Sequence, residues 1–155
     1  MPTVEERARM LGITFPEPPK AVANYVPTHR VGNLLFVSGQ LPIDPSGNVL
    51  ATGAVGKSVG IELGVQAARL CAINVLAQVR AAVGNLERIA HVVRLGGFIT
   101  SACDFTDQAV VMNGASDLMV ELFGDRGRHT RSTIGVFALP KGASVEVEAT
   151  FEITT

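Results

Sequence analysis

The stretch Arg131–Thr155, RSTIGVFALPKGASVEVEATFEITT, carries the clearest pattern in the chain. From Val145 onward apolar and polar residues alternate. Val145, Val147, Ala149, Phe151 and Ile153 fall on one side, and Glu146, Glu148, Thr150 and Glu152 on the other. A period of two is a β-strand with one buried face. Leu139-Pro140-Lys141-Gly142 has turn chemistry, so Arg131–Ala138 reads as the partner strand of a hairpin. With the turn centred on Pro140-Lys141, Gly135 stands opposite Glu146, Thr133 opposite Glu148 and Arg131 opposite Thr150. Arg131, Thr133, Glu146 and Glu148 then share a face. An arginine fork binds a carboxylate through two parallel charge-assisted hydrogen bonds, and a neighbouring carboxylate can move protons or orient a water. The plain alternative is a solvated outer face with an Arg131–Glu148 surface ion pair, worth only about 0–1 kcal/mol.

Working outward, the largest helical signal is Ile61–Val83. Val65, Ala68, Cys71 or Ala72, Val75 or Leu76, and Val79 recur at helical spacing. Gly84 is placed to end this helix, and Asn85 to cap a short turn after it. A strand runs from His91 to Thr100, with Gly96-Gly97 marking a bulge or a close approach. Thr106 or Asp104 caps a second helix ending near Phe123. Toward the N-terminus, Leu34–Val37 is a short buried strand bounded by Gly32-Asn33 and Gly39, and Ala21–Tyr25 is a further strand candidate. Asp44–Asn48 is a turn. Thr3 caps a short helix with Glu5 and Glu6 in its first turn, ending by Gly12. The resulting expectation is an α+β fold with one mixed sheet and two long helices on one face. It is a single domain over residues 1–155, with 1–19 an N-terminal extension.

Composition narrows the function classes. Thirteen basic and 14 acidic residues give a net charge of −1, so no global field draws nucleic acid. Hydrophobic residues make up 47% and mean hydropathy is +0.32, which fits surface buried in an oligomer or an Ala- and Val-rich exterior. The N-terminal MPTVEERARM lacks the apolar run of a signal peptide. Ile61–Val83 is interrupted by Glu62, Gln66, Arg69 and Arg80 and does not suit a bilayer. A reducing cytoplasm fits two cysteines, Cys71 and Cys103, without metal or redox spacing. Gly53-Ala-Val-Gly56-Lys57-Ser58 resembles the end of a phosphate-binding loop, but its required earlier glycine is Ala51 and Lys57 reads as a solvated loop residue. His29, His91 and His129 show no metal-ligand spacing. His129 stands out for lying two residues before Arg131.

Two segments carry a family resemblance. Val31–Pro45, VGNLLFVSGQLPIDP, and the pair Arg131-Ser132-Thr133 with Ala138–Ala149, ALPKGASVEVEA, resemble the two signatures of the Rid (YjgF-like) reactive-intermediate deaminases, also labelled endoribonuclease L-PSP. With Val111-Met112-Asn113 between them, the resemblance covers about residues 20–152. It implies a Bacillus chorismate-mutase-like fold, a homotrimer with ligand clefts between subunits, and hydrolysis of 2-imino or 2-enamino acids to 2-oxo acids and ammonia without a cofactor. Position by position, it implies that Arg131 binds the substrate carboxylate and Glu146 positions the attacking water or moves a proton. Tyr25, Ser38, Gly39 and Asn113 would line the pocket. Thr133 stands where some members have cysteine, and its backbone amide would donate to a carboxylate. His129-Thr130 depart from the family's usual Pro-Ala. Two further readings stay open: a small-carboxylate-binding trimer without turnover, and an endoribonuclease. The second has little support in a chain with no tryptophan and one tyrosine. Whether Glu146 or Glu148 faces the ligand is also open, since the hairpin register sets Glu146 roughly 14 Å along the strands from Arg131.

Overall fold

The computed structural model describes residues 1–155. Helix α1 (Val4–Met10) opens the chain, capped by Thr3 and Glu6 in a reciprocal capping box. Strands β1 (Thr28–Val31) and β2 (Leu34–Gln40) form a hairpin across Gly32-Asn33, where Gly32 takes φ +57°. That dihedral suits glycine at the first position of a tight hairpin turn. Helix α2 (Ile61–Val83), strand β3 (Ile89–Thr100), helix α3 (Gln108–Phe123), strand β4 (Thr130–Val136) and strand β5 (Val145–Ile153) complete the order.

The sheet order is β1-β2-β5-β3-β4. β5 lies antiparallel between β2 and β3, and β4 runs parallel to β3 at the edge. Parallel neighbours need a crossover, and α3 supplies it. Both long helices cover one sheet face, α2 over β2 and β5 and α3 over β3 and β4. The expected α+β architecture is therefore met. The buried alternation on β5 is also met, with Val145, Val147, Ala149, Phe151 and Ile153 in the core. Val4, Ala8, Ile13 and Phe15 belong to the same continuous core, and Arg7 donates to the Leu122 carbonyl at 3.2 Å. The N-terminal residues are thus packed against the body of the protein.

The hairpin expected between Arg131–Ala138 and Ser144–Thr155 does not form. β3 lies between the two strands, and the turn at Pro140–Gly142 leads the chain past the end of β3. Across β3 the rows read Thr130–Arg94–Thr150, Ser132–Gly96–Glu148 and Ile134–Phe98–Glu146. This differs by one residue from the expected register, and a one-residue slip sends side chains to the other face. Ala21–Tyr25 is not a strand, and the strand preceding the Gly32-Asn33 turn is β1. α3 starts after Asp107 rather than after Asp104 or Thr106. Gly96 and Gly97 mark close approaches, with the β3 irregularities lying nearer its start. A Cβ at 96 would stand 2.8 Å from Glu148, and one at 97 would stand 2.5 Å from the Met112 sulfur. Cys71 is buried, Cys103 is exposed, and both are free thiols. No helix is long and apolar enough to cross a membrane.

Candidate functional site

β4 is the edge strand, and Arg131 pairs with Leu95, whose side chain is buried beneath the helices. Arg131 therefore points toward α3. Its Nη1 donates to Asn113 Oδ1 at 2.9 Å and to Ser116 Oγ at 3.0 Å, and its Nη2 donates to the Ala109 carbonyl at 3.2 Å. Positions 109, 113 and 116 follow helical spacing and lie on one face of α3. A guanidinium has five N–H groups. Three are used here, leaving the Nε–H and one Nη2–H on adjacent nitrogens.

The alternation of β4 places His129 and Thr133 on the same side as Arg131. His129 Nε2 lies 2.9 Å from Ser116 Oγ, and its Nδ1 lies 2.6 Å from the Gly127 carbonyl. Burial holds the His129 pKa below its ordinary value, outweighing the Gly127 hydrogen bond that raises it; the Arg131 charge adds to the lowering. Thr133 Oγ1 is buried without a hydrogen-bond partner. An open cleft of about 310 Å³ is lined by Asn113, Ser116, Asp117, Arg128, His129 and Arg131.

Glu146 and Glu148 occupy the opposite face of the sheet. Glu146 is half-buried and lies across Gly39, where a Cβ would stand 2.3 Å from its Oε1. Gly39 sits in the irregular stretch of β2 between Val37 and Gln40. Burial first, and the neighbouring Glu148 charge second, push the Glu146 carboxyl above its ordinary range. On the same face, Ser38 Oγ donates to the Val26 carbonyl at 2.7 Å. A cleft of about 550 Å³ there is lined by Tyr25, His29, Phe36, Ser38, Arg94 and Glu148 among others. Arg94 Nη2 donates to Ser132 Oγ at 3.1 Å.

The site residues named from sequence thus fall into two groups. Arg131, Asn113 and Thr133 gather on the helix side, while Tyr25, Ser38, Gly39 and Glu146 gather on the open side, with the sheet between them. Arg131 and Glu148 make no ion pair, because they face opposite ways. Sequence reasoning missed Ser116, the Ala109 carbonyl and Arg94. Ser116 was detectable in principle, since it lies three residues after Asn113 and shares its helix face. The three histidines stay apart: His29 lines the open-face cleft, His91 contacts Glu152 at 3.0 Å, and His129 contacts Ser116.

Comparison with known proteins agrees with the two sequence signatures. Residues 5–148 match the family described as YjgF/chorismate mutase-like, a description that also carries an endoribonuclease label. Protein TCP17 of Trypanosoma cruzi is 44% identical over 151 residues, spanning 97% of this chain and 94% of its own. A crystal structure of an Agrobacterium tumefaciens protein of unknown function aligns with a TM-score of 0.91 at 47% identity, covering 97% of this chain and 92% of that one. The 2-iminobutanoate/2-iminopropanoate deaminase of Dermatophagoides farinae is 29% identical over 137 residues, spanning 88% of this chain and 91% of its own. The chain belongs to the YjgF/chorismate mutase-like family.

Proposed function

We propose that this protein hydrolyses reactive 2-imino or 2-enamino acids to 2-oxo acids and ammonia, in clefts completed between subunits of a homotrimer. The observation that carries the reading is the Arg131 guanidinium. Three acceptors on α3 hold it still, and two N–H groups remain for a carboxylate. Asn113 steadies the anchor from α3, and Thr133 adds an unpartnered donor beside it. Glu146 serves as the acid–base group. Its raised pKa brings it closer to the operating pH, where proton transfer is efficient. It takes a proton from water as the water oxygen bonds to the imine carbon and the C=N π pair moves to nitrogen. It returns that proton to nitrogen, giving a carbinolamine; it then carries the hydroxyl proton to the same nitrogen as the C–O pair closes to a carbonyl and the C–N bond breaks, releasing ammonia. No cofactor is needed. Tyr25, Ser38 and Gly39 form the wall on the Glu146 side.

Arg131 and Glu146 lie on opposite faces of one sheet, so a single ligand meets both only if they come from different copies. The exposed Leu34, Phe36 and Ile134 on the open face support such a neighbour. The deaminase among the relatives supports the reaction class. Free thiols, one of them exposed, suit a reducing cytoplasm. The endoribonuclease label finds little support in a chain of net charge −1 with one tyrosine and no tryptophan.

The test is to generate 2-iminopropionate in solution with an amino-acid oxidase and follow its decay. Wild type accelerates the decay, and Arg131→Ala loses on the order of 100-fold in kcat/KM, as expected for removing a bidentate charged contact. Equal decay with wild type and Arg131→Ala refutes the reading. The separation of Arg131 from Glu146 within one chain also favours a second reading, carboxylate binding without turnover. Thermal stabilisation by a 2-oxo acid that is lost in Arg131→Ala, with no imine hydrolysis by wild type, would establish that reading instead.

A further inference from the structure

Two of the three acceptors holding Arg131 come from α3 alone, the Asn113 amide oxygen and the Ala109 carbonyl. The third, Ser116 Oγ, is oriented from outside that helix. His129 Nδ1 lies 2.6 Å from the Gly127 carbonyl, which can only accept, so Nδ1 carries the ring proton. In the neutral ring Nε2 is then an acceptor, 2.9 Å from Ser116 Oγ. The Ser116 hydroxyl donates to it and turns its lone pairs to Arg131 Nη1 at 3.0 Å. One carbonyl thereby sets the direction of every bond in the chain from Gly127 to the guanidinium.

We propose that His129, acting through Ser116, is a positioning residue that aims the free N–H fork of Arg131 at an incoming carboxylate. The inference rests on Arg131 being the carboxylate anchor. It requires a neutral imidazole, in keeping with the partly buried ring. Arg131, Arg128 and Asp117 line the same cleft as the ring, while in the preceding turn Arg126 donates to the Ile89 carbonyl at 2.9 Å. Asp125 is paired with Arg128 at 3.4 Å, and Arg94 on β3 turns to the opposite face to meet Ser132. Ser116 Oγ is engaged on both sides, with His129 Nε2 at 2.9 Å and Arg131 Nη1 at 3.0 Å.

The experiment compares wild type, Ser116→Ala, Ser116→Thr, His129→Ala and Arg131→Ala. It reads KM and kcat for 2-iminopropionate, the Kd for pyruvate, and the histidine ring nitrogens by NMR. Ser116→Ala and His129→Ala each raise KM and the pyruvate Kd about tenfold, the scale of one hydrogen bond to a charged group, with kcat little changed. Ser116→Thr keeps the hydroxyl and restores binding. In wild type, the spectrum shows His129 protonated at Nδ1, and pyruvate moves its Nε2 signal; that response is absent in Ser116→Ala. An Nε2-protonated ring overturns the proposal. So do unchanged KM and Kd in both alanine variants, or covalent capture of Ser116 by an acyl-reactive probe. Loss of binding in Arg131→Ala alone removes only the positioning role. Unchanged binding in Arg131→Ala, or no carboxylate binding by wild type, removes the carboxylate anchor and the positioning role with it.

Discussion

Gly39→Ala separates the stability of this fold from its proposed chemistry. The new methyl carbon would stand 2.3 Å from Glu146 Oε1, 2.9 Å from its Cδ and 3.1 Å from its Cγ. Ordinary contact begins at 3.4 Å, so the oxygen must retreat by at least 3.4 − 2.3 = 1.1 Å. The obstacle is the far end of a flexible side chain, so the backbone need not move. Forcing the carboxylate off its rotamer costs about 0.5–1.5 kcal/mol. Alanine restricts the unfolded chain and offsets about 0.4–1 kcal/mol of that. The net change is within about 1 kcal/mol, or roughly 2–4 °C in Tm for a chain of this size. Catalysis is far more sensitive, since a misplacement of about 1 Å can cost on the order of 100-fold. The assay is imine decay with 2-iminopropionate made in solution, alongside a thermal melt. The expected result is a kcat reduced about 100-fold with Tm almost unchanged, and little further loss when Glu146→Gln is added. Near-wild-type activity in Gly39→Ala, with the protein folded, would refute Glu146 as the acting carboxylate. A fall in Tm of more than about 10 °C would refute the steric argument itself.

Gly114→Ala is the contrasting case, because its Cβ would stand 2.0 Å from the Val65 backbone oxygen where α3 meets α2. Backbone cannot swing aside, so destabilisation of about 3 kcal/mol is expected, which a denaturant titration would read as a lower midpoint with unchanged slope. Glu148→Gln removes the like charge beside Glu146, so the raised Glu146 pKa falls part of the way back while the effect of burial remains. The acid limb of the pH–rate profile should then move to lower pH. The same substitution tests the sign of the stability effect. A carboxyl whose pKa is raised by folding favours the fold while protonated, and that contribution is lost as pH rises from the unfolded value through the folded one. Glu148→Gln should flatten this loss, measured as Tm against pH.

The pattern within each segment was legible in the sequence, because it depends on local periodicity. Alternation from Val145 to Ile153 fixed which β5 side chains are buried, and the apolar recurrence from Ile61 to Val83 marked α2 with its Gly84 stop. Thr3 as a cap, with Glu5 and Glu6 in the first turn, announced the first helix, and the structure adds the reciprocal bond from Glu6. The two signatures identified the family and nominated Arg131 and Glu146. Which strand lies beside which was decided by the tertiary structure. Consecutive strands usually pair, so the turn at Pro140–Gly142 pointed to a hairpin; yet β3, which ends at Thr100, well before β4 begins at Thr130, lies between β4 and β5. Alternation says which residues of a strand share a face but nothing about the neighbour's register. One residue of register moved Arg131 to the helix side and left Glu146 on the open side. The bonds from Gly127 through His129 and Ser116 to Arg131 were invisible for the same reason, since α3 folding back against β4 is what brings those groups within reach.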